Sequence, residues 1–362
     1  MTQATDIPII KPEAVTPAWL TQVMRRAGHE VTVSDVAAKK VGTGQVGDSV
    51  RFSLTYRDDA KGAPATIVGK FPSADDESRT TGVNFGNYIR EVNFYRHLAP
   101  NAGIRTAKCF HADIVEETHD FVLMMEDLAP AEQGDQMRGV SLAEAAVALD
   151  EAAKLHASHW GDERLDEFAW LSDTKNAQST ATQELMQLLW GAFRERYADR
   201  IKPHCVEIGE AITRNFDFYR TGYTGPRCLV HMDYRPDNMM FASKVGGYPL
   251  AVVDWQTAGF GCGMADISYF LSGALPVETR RAHERQLLAD YHAKLCALGV
   301  KDYSFDDVWA GYARYSFSLF IMAFAASMIV ERTPRGDDMF FAMLNGGADH
   351  VRDMDALSLL PK

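Results

Sequence analysis

"LVHMDYRPDNMMF", residues 229–241, is the most specific local signal in this chain of 362 residues. It places His231, Asp233 and Asn238 in the pattern H-x-D-x-x-x-x-N, and "VVDWQ", residues 252–256, follows shortly after it. Average composition produces that pattern by chance in roughly one chain of this length in a hundred. The pattern therefore indicates a functional loop.

The apolar residues around this loop predict two short strands, near residues 227–232 and 250–255, that form a pair. Asp233 and Asn238 would then lie on the connection between the two strands, and Asp254 would lie at the end of the second strand. Asp233 and Asp254 supply carboxylates and Asn238 supplies an amide oxygen, and such hard ligands suit Mg²⁺ completed by water and phosphate oxygens. The residues thus predict a magnesium site where the Asp233 carboxylate is free to meet a hydroxyl group.

A second signal, "GTGQVG" at residues 42–47, fits the pattern G-x-G-x-x-G. This pattern opens dinucleotide-binding βαβ units and also forms the glycine-rich loop over ATP in kinases. Residues 50–56 alternate between apolar and polar, and "ATIVGKF", residues 65–71, follows after a polar turn. Because strands follow the glycines where a dehydrogenase of the Rossmann type needs a helix, we expect a hairpin whose backbone amides close over phosphates.

Other periodic segments predict a small β-rich first part and a larger helical second part. Residues 85–99 have the apolar spacing of an amphipathic helix that carries Glu91, and "DFVLMMEDL", residues 120–128, is typical of a buried strand that ends in a polar corner. Ser141 and Glu144 form a capping box before a long apolar stripe. Further helices are predicted after Thr16 and near residues 180–220, 278–298 and 305–330.

The parts described above occur in the order found in the protein-kinase-like superfamily. "HMDYRPDN" resembles the catalytic loop of eukaryotic-like kinases, and "DWQ" takes the place of their DFG motif. Through "REVNFY", "MEDL", "KLHASHW" and "ADISYFL", the chain looks most like the ecdysteroid-kinase-like family, beside aminoglycoside phosphotransferases and choline-kinase-like enzymes. Asp266 follows Asp254 by twelve residues, which leaves no room for the long activation segment of protein kinases.

The resemblance covers roughly residues 40–275 and implies an α+β, protein-kinase-like fold with two lobes. The N-lobe would span residues 1–125 and the C-lobe residues 126–362. ATP and Mg²⁺ are the implied co-substrate and cofactor. Among the site residues, Lys70 would bind the α- and β-phosphates and pair with Glu91.

Further roles follow from the same resemblance. Asp233 would accept the proton of the acceptor hydroxyl, while Asn238 and Asp254 would hold Mg²⁺. Arg235 would face the transferred phosphate, and His231 would brace the loop. The nucleotide-binding set comprises the glycine-rich loop and the hinge, with Gly42, Gly44, Gly47, Ser49, Met125, Glu126 and Leu128. At the hinge, the Glu126 carbonyl and the Leu128 N–H would read the adenine edge.

The implied function is phosphorylation of a hydroxyl group on a small molecule. A stripe of large apolar residues in the tail is either core or an apolar wall of the substrate site, and the second interpretation favours a sterol-like or other hydrophobic alcohol. The stripe consists of Phe317, Phe320, Met322, Phe324 and Met328. An aminoglycoside or choline-type kinase and a catalytically inactive nucleotide-binding regulatory protein are the alternatives. Asp266, just before "ISYF", is expected to cap a helix.

Composition limits the partners and the compartment. The formal net charge of −12 disfavours binding to nucleic acid and to an anionic membrane. The five cysteines are scattered, and "MTQATDIPII" at the N-terminus lacks the basic and apolar segments of a signal peptide. The uncharged apolar run 315–330 is shorter than the ~20 residues of a spanning helix. We therefore expect a cytoplasmic protein, and no pattern in the chain indicates an oligomeric state.

Overall fold

The computed structural model describes residues 7–42, 46–57, 59–60, 62–173, 181–330 and 332–361. Contacts divide the chain into two compact units. The first unit comprises Met1–Pro100, Thr106–Pro130 and Val253–Thr257, and the second comprises Asn101–Arg105, Ala131–Val252 and Ala258–Lys362. The short segment 253–257, which contains the "DWQ" motif, therefore belongs to the first unit although it is remote from it in sequence. The boundary predicted at residue 125 stays a prediction.

The first unit is built on a five-stranded antiparallel sheet with the strand order β1-β2-β3-β5-β4. Its strands are β1 (Val33–Val41), β2 (Gly47–Tyr56), β3 (Thr66–Pro72), β4 (Cys109–Val115) and β5 (Asp120–Glu126). Its helices are α1 (Pro17–Arg26), α2 (Asp76–Asn84) and α3 (Asn87–Asn93). The predicted strands correspond to β2, β3 and β5, whereas β1, β4 and α2 were not predicted.

Alternation in β2 places one face of the sheet in the core. Val50, Phe52 and Leu54 are buried in the same cluster as Trp19 and Leu20 of α1. The Thr16 hydroxyl caps α1 by accepting the Trp19 N–H at 3.2 Å, which confirms the predicted helix start. This packing fixes β2 beside β3, the strand that carries the predicted lysine.

The predicted helix over residues 85–99 is shorter and is interrupted. Gly86 has φ +66° before α3 begins at Asn87, and the last part, Phe94–Leu98, is a π-helix. A left-handed residue cannot continue a right-handed helix, and glycine takes that conformation without steric cost. Glu91 nevertheless lies on α3, as predicted, and its side chain is buried.

The second unit is mainly helical. Its helices are α4 (Leu142–Ser158), α5 (Gln183–Arg196), α6 (Pro203–Arg214), α7 (Phe216–Thr221), α8 (Met264–Ala274), α9 (Val277–Ala297), α10 (Phe305–Arg314), α11 (Phe317–Ser327) and α12 (Pro334–Asp353). The capping box of Ser141 and Glu144 at α4 is confirmed. The helix predicted near residues 278–298 is confirmed as α9, the predicted regions 180–220 and 305–330 are divided into shorter helices, and α12 was not predicted.

Both strands predicted around the "HMDYRPDN" loop are present, but the prediction that they pair with each other is wrong. The strands of this unit are β6 (Glu132–Gln133), β7 (Ser172–Asp173), β8 (Cys228–Val230), β9 (Met239–Ser243), β10 (Gly246–Val252) and β11 (Gly259–Gly261). They form two sheets, with the orders β10-β9-β6 and β7-β11-β8. β10 pairs with β9 because only a tight turn joins them, so β8 is left to pair with β11.

The apolar stripe of the tail is core. Phe317, Phe320 and Phe324 are at most 1% exposed, and the Trp190 ring lies 5.3 Å from the Phe324 ring. The two methionines of the stripe are partly buried and pack against the same cluster. The interpretation of these phenylalanines as a substrate wall is therefore wrong, because burial leaves no apolar surface on them for a ligand.

The described helices include none that is both long enough and apolar enough to cross a lipid bilayer.

Candidate active site

Three charged side chains meet in the first unit, and we call Lys70, Glu91 and Asp254 the lysine cluster. The Lys70 Nζ lies 2.7 Å from Glu91 Oε2 and 2.9 Å from Asp254 Oδ1. β3 supplies the lysine, α3 the glutamate and the segment 253–257 the aspartate. The structure thus brings together three predicted site residues that are up to 184 positions apart.

Burial and charge act against each other in this cluster. Burial alone would lower the pKa of Lys70, but the two carboxylates outweigh it, so that its pKa lies above the ordinary value and the ammonium stays charged. Burial raises the pKa of Glu91, and the nearby Asp254 adds to that rise against the attraction of Lys70. Two carboxylates around one ammonium give the cluster an excess negative charge, which a cation would offset.

The segment that carries Asp254 is fixed by its neighbours within the first unit. Asp254 itself has φ +67°, and the next residue, Trp255, is fully buried. The Trp255 indole stacks on Phe94 with ring centroids 4.0 Å apart and donates its N–H to the Thr106 hydroxyl at 2.9 Å. Arg90 donates to the Gln256 carbonyl at 2.8 Å. These contacts hold the Asp254 carboxylate beside Lys70.

The glycine-rich stretch leads into the predicted strand β2, whose antiparallel neighbour β1 precedes it in the chain and was not predicted. Val41 of β1 pairs with Ser49 of β2, and Ser49 pairs in turn with Lys70 of β3. A Cβ atom on Gly47 would lie 3.1 Å from the Phe71 carbonyl oxygen and 3.5 Å from Lys70 Cε, so glycine leaves room for the lysine side chain. Gly42 has φ +76°, which favours glycine. The predicted residue Gly44 lies outside the described residues.

The predicted hinge begins in the last two residues of β5, Met125 and Glu126, and continues to Leu128. Met125 pairs with Val68 of β3, and the Glu126 N–H donates to the Lys108 carbonyl at 2.8 Å. Within the parts of the chain that the structure describes, the Leu128 N–H takes part in no backbone hydrogen bond. This arrangement suits the adenine-binding role of Glu126 and Leu128, which stays a prediction.

The second unit holds the aspartate loop, residues 231–238. The Asp233 carboxylate accepts from the Asn238 amide at 2.8 Å on Oδ2 and from the Tyr269 hydroxyl at 3.0 Å on Oδ1. Arg235 Nε lies 3.1 Å from Asp233 Oδ1, and its Nη1 lies 2.5 Å from Asp237 Oδ2. The predicted residues of this loop are therefore brought together around one carboxylate.

The charge around Asp233 keeps it ionised. Burial would raise the pKa of this carboxyl, but Arg235, His231 and the donors Asn238 and Tyr269 outweigh it, so that its pKa lies below the ordinary value. The same carboxylate raises the pKa of Arg235 against the effect of burial. An ionised carboxylate at this position accepts a hydrogen bond from a hydroxyl group.

Asp266 anchors the loop, and the expectation that it caps a helix is wrong. It lies in the first turn of α8, after Gly263 at the N-cap. Its buried carboxylate accepts the backbone N–H groups of His231 at 2.7 Å and Met232 at 2.8 Å, and it meets His156 Nε2 at 3.2 Å. The loop donors take the carboxylate because they are otherwise buried without an acceptor.

His231 lies inside the loop, and its predicted bracing role stays a prediction that these contacts suit. Its ring is fully buried, and its Nδ1 accepts the Asp233 N–H at 3.3 Å. Met232, between the two, has φ +67°, so the chain turns sharply before Asp233. The ring and the Asp266 carboxylate together hold this turn.

The predicted magnesium ligands belong to different units, with Asp254 in the first and Asn238 in the second. Both suit a hard cation. The Asn238 amide nitrogen donates within the loop, so its oxygen is the atom able to bind a metal ion, and Asp254 Oδ2 accepts a long bond of 3.4 Å from Gln256. A magnesium site at these residues stays a prediction.

Three residues that contact the aspartate loop or the segment 253–257 were not among the predicted site residues. Tyr269 contacts Asp233 directly, and Thr106 and Arg90 hold the segment 253–257. The spacing of three between Asp266 and Tyr269 on a predicted helix was a usable signal, since residues three apart share a helix face. Thr106 and Arg90 carry no local signal, because only the tertiary fold brings them to Trp255 and Gln256.

The model of the ecdysteroid kinase-like family matches residues 46–301, more than two thirds of the chain. The chain therefore belongs to the ecdysteroid kinase-like family, a family of small-molecule-kinase-like proteins, and the resemblance inferred from the sequence is confirmed. No curated protein matches the sequence.

Solved structures share the fold at low sequence identity. A candidate aminoglycoside phosphotransferase from Ralstonia eutropha JMP134 is 15% identical with a TM-score of 0.54, over 95% of this chain and 98% of its own. An aminoglycoside phosphotransferase solved with GDP and kanamycin is 13% identical with a TM-score of 0.51, over 94% and 99%. The choline kinase from Cryptosporidium parvum is 12% identical with a TM-score of 0.51, over 90% and 92%. They confirm the α+β kinase-like fold.

Proposed function

We propose that this chain is an ATP- and Mg²⁺-dependent phosphotransferase that phosphorylates a hydroxyl group of a small molecule. The observation that carries the proposal is the lysine cluster, in which a buried ammonium lies 2.7 and 2.9 Å from two carboxylates. A lysine is seldom buried to this extent, with 13% of its side chain exposed, unless carboxylates pair with it. An ammonium oriented in this way suits the binding of nucleotide phosphates.

In the first unit, the proposed role is to bind the nucleotide. Lys70 would contact the α- and β-phosphates while Glu91 keeps its side chain oriented. The amides of the glycine-rich hairpin, with Ser49 beside Lys70 in the register, would donate to the phosphates. The Glu126 carbonyl and the Leu128 N–H would bind the adenine edge.

In the second unit, the proposed role is to activate the acceptor. Asp233 would orient the hydroxyl and accept its proton as the oxygen attacks the γ-phosphorus, and ADP would leave. Asn238 and Asp254 stay the predicted ligands of Mg²⁺, which offsets phosphate charge when bound. Arg235 contacts Asp233 through Nε and Asp237 through Nη1, and its Nη2 group is the part proposed to face the transferred phosphate.

A sterol-like or other hydrophobic alcohol is the proposed acceptor class. This proposal now rests on the family alone, since the phenylalanines of the apolar stripe lie in the core. The solved structures with kanamycin and the choline kinase support the alternative, an aminoglycoside or an amino alcohol. All of these acceptors carry a hydroxyl group, so the mechanism proposed for Asp233 is the same.

The test combines binding with a screen of acceptors. Calorimetry with Mg·ATP measures nucleotide binding, and mass spectrometry over sterols, aminoglycosides, choline-like amines and other alcohols detects the gain of one phosphoryl group. We expect Asp233→Ala to keep Mg·ATP binding and to lose turnover. Asp338→Ala is the control, because that carboxylate is 68% exposed and lies in the same unit.

The outcomes separate the candidate functions. Absence of Mg·ATP binding contradicts the proposal, and turnover that survives Asp233→Ala contradicts the role of Asp233. Mg·ATP binding without turnover on any acceptor favours the inactive nucleotide-binding protein. Phosphorylation of aminoglycosides or amines alone would replace the hydrophobic acceptor class.

A further inference from the structure

Helix α8 holds the aspartate loop at three points. The Asp266 carboxylate accepts the backbone N–H groups of His231 and Met232. One turn later, the Tyr269 hydroxyl donates to Asp233 Oδ1 at 3.0 Å. Residues three apart lie on the same helix face, so one face of α8 fixes both the backbone and a carboxylate of the loop.

Tyr269 is itself firmly placed. It is 4% exposed and belongs to the same core cluster as Phe317 and Phe320. A buried tyrosine hydroxyl needs a hydrogen-bond partner, and the partner here is the carboxylate assigned as the base. The ring has no room to swing away from Asp233 without disturbing the core.

Three side chains donate to the Asp233 carboxylate. Tyr269 donates to Oδ1 and Asn238 donates to Oδ2, while Arg235 Nε donates to Oδ2 at 3.2 Å. Asn238 and Arg235 belong to the loop itself, whereas Tyr269 holds Oδ1 from α8, so removal of its hydroxyl would let the carboxylate turn about its last torsion, which is broad for aspartate. Misplacement of a reacting group by about 1 Å is enough to slow an enzyme strongly.

We propose that Tyr269 is a positioning residue that holds Asp233 in the orientation required to receive the acceptor hydroxyl. The proposal rests on the proposed phosphotransferase function and adds a residue to it. Tyr269 belongs to the second unit, whereas Lys70 and the other predicted phosphate and adenine contacts belong to the first. Its effect is therefore expected on turnover and not on nucleotide binding.

The test is Tyr269→Phe, which keeps the ring in the core and removes only the hydroxyl. The matched control is Tyr197→Phe in the same unit, because the buried Tyr197 hydroxyl also donates to a carboxylate, Asp337 Oδ1, at 2.5 Å. With ATP and the best alcohol from the screen, we expect kcat to fall about 10- to 100-fold in Tyr269→Phe while KM for ATP changes less than about twofold. Tyr197→Phe should leave both constants unchanged.

A second readout does not depend on activity. Protein labelled with ¹³C at the aspartate carboxyl carbons gives a resonance for Asp233 that the Asp233→Asn variant identifies. At one fixed pH, we expect Tyr269→Phe to move that resonance, since the carboxylate loses a donor, and Tyr197→Phe to leave it in place. A merely structural tyrosine would not move this one resonance selectively.

The outcomes distinguish the two proposals. An active wild-type protein whose kcat and Asp233 resonance are unaffected by Tyr269→Phe overturns the positioning role alone. A fall in kcat equal to that of Tyr197→Phe overturns it as well. An inactive wild-type protein whose Asp233 resonance still responds to Tyr269→Phe overturns the phosphotransferase function, and the role of Tyr269 in that reaction with it.

Discussion

The lysine cluster and the aspartate loop each bury a carboxylate, but the two carboxylates are shifted in opposite directions. Burial raises the pKa of Glu91, and Asp254 raises it further despite the contact with Lys70. Burial also acts on Asp233, yet Arg235 and the surrounding donors lower its pKa. Burial acts in the same direction on the pKa of both carboxylates, so the opposite shifts come from the difference between their partners.

The two regions also differ in how their parts are brought together. The lysine cluster joins three segments that are distant in sequence, and it depends on compensation between full charges. The aspartate loop uses residues within eight positions, and α8 anchors it by hydrogen bonds. We infer that removal of one charge destabilises the lysine cluster, whereas removal of the Asp266 carboxylate destabilises the aspartate loop.

The largest expected effect comes from removing the ammonium of the lysine cluster. Lys70→Met leaves Glu91 and Asp254 close together without a counter-charge, and breaking a buried ion pair costs about 3–5 kcal/mol. We expect that loss in the free energy of unfolding, measured by urea denaturation, together with loss of Mg·ATP binding.

The control is Lys40→Met, which breaks the ion pair with Asp48 at a lysine that is 72% exposed and should cost less than about 1 kcal/mol. The double variant Lys70→Met/Glu91→Gln removes one of the two carboxylate charges and should recover part of the loss. Equal effects of Lys70→Met and Lys40→Met would contradict the inferred role of charge compensation.

A smaller effect is expected from removing the anchor of the aspartate loop. Asp266→Ala removes the acceptor of the His231 N–H, which is buried, and of the Met232 N–H, which is partly buried, at a total cost of up to about 3 kcal/mol. We expect this loss in urea denaturation, together with a reduced kcat at an unchanged KM for ATP.

Asp75→Ala serves as the comparison, because Asp75 accepts a backbone N–H from Ser78 at the exposed start of α2. It should lose less stability than Asp266→Ala. If the two variants lose the same stability, burial of the loop donors is not what makes Asp266 important.

The smallest effect concerns His350, a buried side chain that, within the part of the chain that the structure describes, has neither a compensating charge nor a hydrogen bond to its ring nitrogens. Neither ring nitrogen of His350 has a hydrogen-bond partner among the described residues, and burial, followed by the charge of Arg280, lowers its pKa well below the ordinary value. The folded protein keeps this ring neutral, whereas the unfolded chain protonates it near pH ~6.5. Its contribution to stability is therefore complete above that pH and is lost as the pH falls below it.

We expect the free energy of unfolding to drop by up to about 1.4 kcal/mol per pH unit below pH ~6.5 on account of this group. His350→Leu should remove that part of the slope in urea denaturation at several pH values. His283→Leu, at an exposed position of α9, should keep the slope of the wild type. A slope that is unchanged in His350→Leu would assign the acid sensitivity to other groups.

Local patterns predicted many elements correctly. The alternation of residues 50–56 identified β2, the capping box identified the start of α4, and the strand after the glycines argued against a dinucleotide-binding unit. Such features depend on neighbours in sequence, since a strand face repeats every two residues and a cap involves residues three apart. Sequence patterns are reliable where the interaction is local.

The errors concern partners that are distant in sequence. The residue pattern identified β8 and β10 but paired them, because strand pairing depends on which edges meet in the fold. It assigned Asp266 to its own helix, whereas the carboxylate serves the backbone of a loop 34 and 35 positions earlier. It also did not decide whether the tail phenylalanines belong to the core or line a substrate site, and only their burial in the structure answers that question.

The sequence by itself determined the residue types of both regions and their order, because the spacing of His231, Asp233 and Asn238 and the family match are properties of the chain alone. The tertiary structure decided which charges compensate each other. A lysine and two carboxylates far apart in sequence meet only when the sheet, α3 and the segment 253–257 fold together. Tyr269 likewise gains its contact with Asp233 only from the packing of α8, since hydrogen bonds and ion pairs act over a few ångströms in space and not along the chain.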